Sequence, residues 1–202
     1  MHYPEFYDAV PSIALYDPLS DFLGAFDKGE VTVNYLDCVK LAGHSCPTVA
    51  GAYLMTIKAL SLLYPDTLPE RGAIRVEMRD DENSGVTGVI GNIASFIVGA
   101  SGKGGFQGIM GRFARNDLVS YGIAMQGEIS FTRTDTQQRV SLSYDPSCVP
   151  GDPTTKTLMA KALQGKATDE ERQRFGALWQ SRVEKILLSQ DLWDKMITVH
   201  AS

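Results

Sequence analysis

The residues of this chain best suited to specific chemistry are Cys38, His44 and Cys46: two of its three cysteines and one of its three histidines, all within a short stretch. Pro47 suits the first turn of a helix, because its φ is already helical and its missing N–H would have had no partner there. That puts Cys46 at a helix N-terminus, where unpaired N–H groups and the helix dipole favour thiolate over thiol. A thiolate is the form that binds metal. His44 lies on the bend just before, and Cys38 a little under two helical turns further back, so that all three side chains could face one cation. Sulfur with imidazole is a donor set that suits zinc, with nickel, copper or iron as other ions it takes. The same residues also read as structure, with Cys38 and Cys46 as small buried hydrophobes and His44 as a hydrogen-bonded turn residue. A third reading makes Cys46 a reactive thiol activated by the helix end and by His44, although no CxxC pair is present for dithiol exchange.

These residues have to be positioned by two helices and the turn between them. Asn34 can cap the first helix, Leu36, Val39 and Leu41 give it apolar surface, and Gly43 ends it. The second helix, over 47–63, carries Val49, Tyr53, Ile57, Leu60 and Leu63 at spacings of three and four, which predicts a core-crossing element. Its small residues Ala50, Gly51 and Ala52 would let another backbone come close. Before this pair, residues 18–26 have Leu19, Phe22, Leu23 and Phe26 at helical spacing, a stripe read as packing in the core or against a second copy. Residues 73–79 alternate like a strand with Ile74, Val76 and Met78 on one face. Asp80, Asp81 and Glu82 follow, readable either as metal-ligating or basic carboxylates or as a solvated turn.

A buried helix is predicted over 86–98 despite its glycines, each of which costs about 1 kcal/mol relative to alanine in a helix. The glycine-rich turn Gly102, Lys103, Gly104, Gly105 could cradle an anion through its backbone N–H groups. It matches neither the phosphate-loop nor the dinucleotide spacing, and a mobile glycine turn is the alternative. Residues 118–135 and 139–145 read as strands joined by a polar turn, with Ile129, Phe131, Val140, Leu142 and Tyr144 alternating. Cys148 follows on a loop. The last fifty residues look helical, with a helix ending near Leu163 and a Thr168–Glu171 capping box opening the next.

At 202 residues the chain can bury one sizeable core, and 21% charged with 44% hydrophobic residues is ordinary for a globular protein. A net charge of -5 argues against nucleic acid or an anionic membrane as partner. The N-terminal segment lacks the features of a signal peptide, no apolar run reaches the roughly 18 residues of a membrane span, and an odd number of cysteines makes a poor disulfide framework. A cytoplasmic protein with reduced thiols is the expectation.

Residues 41–53, LAGHSCPTVAGAY, resemble the signature of the FmdE family, named after formylmethanofuran dehydrogenase, which typically reads Phe-His-Gly-His, any residue, then Cys-Pro-Gly. Gly43, His44, Cys46 and Pro47 match it; Ala42 stands where the family often has its first histidine, and Thr48 where it has glycine. Cys38, one helical turn before Ala42, would then supply the ligand that Ala42 cannot. Residues 99–104 resemble a second family segment, with Ala100 in place of a cysteine and Asn92 near a usual aspartate. The resemblance implies an α+β fold, a mixed sheet of four or five strands flanked by helices. It would form a single domain over 1–202, with an N-terminal arm and short helix over 1–33 and a helical C-terminal extension over 152–202. It implies a metal site of Cys38, His44 and Cys46 holding zinc or another transition metal such as nickel, and a ligand-binding site of Asn92, Gly102, Lys103 and Gly104. It further implies a homodimer, a small-molecule substrate, and a role as an accessory or metal-dependent enzyme of unassigned substrate. No catalytic residue is assigned. The alternatives are a thiol-dependent or redox enzyme using Cys46 and a non-catalytic accessory protein of a larger complex. No cysteine follows Cys148, so the C-terminal zinc finger of some family members is not expected.

Overall fold

A computed structural model describes residues 2–201. The central element is helix α3 (Pro47–Leu63), buried on nearly every side through Val49, Tyr53, Leu54, Met55, Ala59, Leu60 and Leu63. A helix enclosed in this way needs close neighbours, and Gly51 provides for one: a Cβ there would fall inside the ring of Tyr144. The predicted small-residue approach is thus a helix-to-strand contact. Tyr144 ends strand β6 (Arg139–Tyr144), which belongs to a sheet with β3 (Ile74–Met78), β4 (Val119–Ser120), β5 (Ile129–Arg133) and β7 (Ile197–His200) in the order β4-β3-β5-β6-β7. Only β3 and β4 pair in parallel; the other pairs are antiparallel, with Val76 opposite Phe131 and Phe131 opposite Val140. A mixed five-stranded sheet flanked by helices is the predicted α+β architecture. A separate antiparallel pair joins β1 (Ile13–Tyr16) and β2 (Glu30–Val33).

Helix α2 (Tyr35–Ala42) precedes α3 and ends where predicted, with Gly43 at φ +73°. Helix α4 (Thr87–Val98) packs against α3 through Ile90, Ile93, Ala94, Ile97 and Val98. Its last turn is held by charge. Asp17 is 3% exposed and caps α1 (Pro18–Leu23) by accepting from the Leu19 and Ser20 N–H groups. The same carboxylate receives Arg71 at 3.2 Å and Arg115 at 2.6 Å. Arg71 also donates to the Phe96 and Ile97 carbonyls, and Arg115 to that of Gly99. Two guanidiniums therefore meet the negative end of the α4 dipole, and Ser101 N–H donates to the Arg115 carbonyl at 2.8 Å, fixing the chain that leaves the helix.

Helices α5 (Thr155–Leu163), α6 (Asp169–Leu188) and α7 (Trp193–Met196) follow, and the Thr168–Glu171 capping box forms, each side chain accepting an N–H at 3.1 Å. The C-terminal helices are not the end of the fold, because β7 returns to the sheet beside β6. The predicted helix at 18–26 ends at Leu23, and its stripe is not in the core: Phe22 and Leu23 are each 60% exposed, and Phe22 stacks on Phe113. The long strand predicted from 118 is broken, pairing only at Val119–Ser120 and again from Ile129. Among the described residues no helix is long and apolar enough to cross a membrane.

Candidate functional site

The α2–α3 turn is pinned from below. Ser45 hydrogen-bonds through Oγ to Tyr35 Oη at 2.9 Å, and its carbonyl accepts from Trp179 Nε1 at 2.9 Å and Gln180 Nε2 at 3.2 Å, which ties the turn to α6. Cys46 follows as the N-cap of α3, half-buried, its sulfur accepting the Val49 N–H at 3.4 Å. His44 is exposed on the other side of the turn, with Nδ1 2.9 Å from the Ala42 carbonyl. A carbonyl can only accept, so Nδ1 carries the hydrogen and the neutral ring presents Nε2 as its acceptor.

Cys38 is buried. It has no exposed surface and lies in the core cluster with Tyr35 and Tyr53. Burial, with the neighbouring Asp37 carboxylate adding to it, pushes its thiol up to about 12. The structure therefore does not bring Cys38, His44 and Cys46 together as a set of three, and among the described residues no three His, Cys, Asp or Glu side chains gather in a way that could hold a metal ion. A metal drawing on all three would need Cys38 deprotonated and reachable, and in this arrangement its side chain has no exposed surface. His44 and Cys46 remain donors with some exposure. Cys148 is exposed in a short turn after β6.

His44 instead opens onto a cleft of about 750 Å³. Its floor is one side of α4, where Val89, Asn92 and Phe96, with the buried Ile93 beneath them, repeat at helical spacing. Leu41, Ala42 and His44 form one wall; Ala100 to Lys103, Val119 and Tyr121 form the other, and Glu82 stands at one end. Three of the four sequence-predicted ligand-binding residues, Asn92, Gly102 and Lys103, line this cleft with His44, while Gly104, Cys38 and Cys46 do not. Ser95 also lines the cleft, and its hydroxyl is buried and has no hydrogen-bond partner among the described residues. That is a costly state for a polar group.

Tyr121 comes close because Gly91 lacks a side chain: a Cβ there would stand 2.6 Å from the phenol oxygen. Burial raises the Tyr121 pKa, and the Glu82 carboxylate adds to the effect. Sequence reasoning missed Tyr121, Ser95 and Ser101. Glu82 carried a signal as the last member of the acidic run, and the members of that run part company here. Asp80 pairs with Arg79 at the surface at 3.0 Å, as a solvated turn would, whereas Glu82 reaches the cleft.

A family model described as "FmdE, Molybdenum formylmethanofuran dehydrogenase operon" matches residues 41–192. The match takes in His44, Cys46, Asn92 and the glycine-rich turn, and it begins after Cys38. No curated protein matches the chain.

Proposed function

This chain belongs to the FmdE family, and we propose that it is a small-molecule-binding protein that serves formylmethanofuran dehydrogenase chemistry in an accessory role, with the cleft along α4 as its binding site. One observation carries the reading: residues from the α2–α3 turn, the α4 face, the 100–103 turn and the segment after β4 converge on one concavity. Its volume is in the range of small-molecule sites, and its mix of an apolar floor with a few polar groups is their usual composition. The test is a fragment screen by ligand-observed NMR on the wild type and on Asn92→Trp, which fills the cleft from an exposed helix position. Fragments that bind the wild type should lose binding to the variant. Undiminished binding to a folded Asn92→Trp would refute the assignment.

A second reading keeps Cys46 as a reactive thiol or, with His44, as part of a transition-metal site for zinc or nickel. What favours it is the position of the sulfur at the N-cap of a 17-residue helix, accepting a backbone N–H. Elemental mass spectrometry of wild type, Cys46→Ser and Cys38→Ser checks it. About one metal per chain, lost in Cys46→Ser and kept in Cys38→Ser, would support a site built on Cys46 and His44; loss in both would restore the three-ligand centre.

A further inference from the structure

The cleft has a direction. Glu82 packs against the first turn of α4, its carbonyl 2.8 Å from where a Gly88 Cβ would be, whereas Ser101 and Lys103 leave the last turn. From Gly88 to Val98 the helix advances roughly 15 Å. The cleft therefore has a carboxylate and the Tyr121 phenol at one end and an ammonium with the Ser101 hydroxyl at the other. Between them lies the Val89, Ile93 and Phe96 floor, interrupted on the polar side by Asn92 and the unpartnered Ser95 hydroxyl.

Neither charge is consumed by a neighbour. Among the described residues Glu82 and Lys103 form no ion pair, in contrast to the paired Arg79–Asp80 and Arg133–Asp135. The Lys103 end is also fixed in place. The Gly102 carbonyl accepts from the Gly105 N–H at 3.0 Å and the Asp117 N–H at 3.2 Å, and the Ser101 carbonyl accepts from Leu118 at 2.9 Å. Behind that turn stands the Asp17–Arg71–Arg115 cluster.

We infer that the cleft takes an elongated dipolar molecule: a carboxylate or phosphate at Lys103 and Ser101, an apolar and preferably aromatic middle over Phe96 and Val89, and a cationic amine at Glu82 and Tyr121. This rests on the proposed cleft reading and adds polarity and length to it. A ligand with charge at one end only would leave the other cleft charge to water. Each exposed end contributes modestly, on the order of a threefold gain in affinity.

The test uses one scaffold in three forms: 4'-(aminomethyl)biphenyl-4-carboxylate, biphenyl-4-carboxylate and 4-phenylbenzylamine. Each is titrated into the full chain at low salt, with amide shifts read by NMR. The dipolar compound should bind several-fold tighter than either singly charged one. Lys103→Ala should remove its advantage over the amine and leave the amine's own affinity unchanged; Glu82→Gln should do the converse. Equal binding of all three at the cleft, or indifference to both substitutions, would overturn the polarity while leaving the cleft as a binding site. Shifts away from the cleft for all three would overturn this inference together with the reading beneath it.

Discussion

The two sides of helix α2 differ in how completely their polar groups are satisfied. On the inner side Cys38, Tyr35 and Tyr53 share a dry cluster in which the tyrosines find partners: Tyr35 meets Ser45, and Tyr53 donates to the Pro11 and Val33 carbonyls at 2.8 and 3.2 Å. Tyr7, Tyr35 and Tyr53 stack edge to face across it. On the outer side, a few residues further along the chain, His44 opens onto a cleft where Glu82 and Lys103 form no ion pair among the described residues. A closed hydrogen-bond inventory marks structure, and an open one marks a place where something else binds. By that measure Cys38 is on the structural side.

The largest expected effect falls on what supports the open side. Asp17→Ala would strand two buried guanidiniums, and urea unfolding should show a loss of about 3–5 kcal/mol. Burial alone would raise the Asp17 pKa, but the Ser20 N–H and the guanidiniums of Arg115 and Arg71 hold it below the usual carboxylate range. Its contribution is therefore present above the unfolded pKa of about 3.9 and lost as pH falls through the folded value, so the wild type should weaken below about pH 4 and Asp17→Ala much less.

Next comes the dry side. Cys38→Ser puts a hydroxyl where the thiol has only apolar and aromatic company and should cost about 1–3 kcal/mol without changing fragment binding. The folded thiol pKa of about 12 exceeds its ordinary value of 9.0. The stability it confers is thus complete below pH 9 and declines as pH rises toward 12, a loss that Cys38→Ala should reduce. In native protein at about pH 8, alkylation followed by mass spectrometry should label exposed Cys148 first, then Cys46, and Cys38 only on unfolding.

The smaller effects sharpen the contrast. Gly91→Ala should displace Tyr121 and weaken binding of a cleft ligand several-fold while changing stability by less than about 1 kcal/mol. His44→Ala, at an exposed position, should leave stability within about 0.5 kcal/mol and alter binding alone. Denaturant titrations paired with ligand titrations separate the two readouts.

Much of this was legible from local chemistry. Pro47, Gly43 and the three-and-four spacing after them give α2 and α3 nearly to the residue, because helix ends are set by side chains close in sequence. Strands β1 and β7 were not, being four residues each and held by partners elsewhere in the chain. Within the site, His44 was found as an imidazole donor beside Cys46, Gly102 and Lys103 through the glycine-rich turn, and Asn92 through motif resemblance. Tyr121 could not have been, since its place depends on Gly91 admitting a ring from about thirty positions later.

The most direct test of the claim that the α4 cleft is the working site is an amide chemical-shift map with a fragment that binds the wild type. The account predicts the largest shifts at His44, across Val89 to Phe96 and at residues 101–103, with Tyr35, Cys38 and Tyr53 unmoved. The largest shifts at Cys38 and Cys46, with α4 silent, would contradict it.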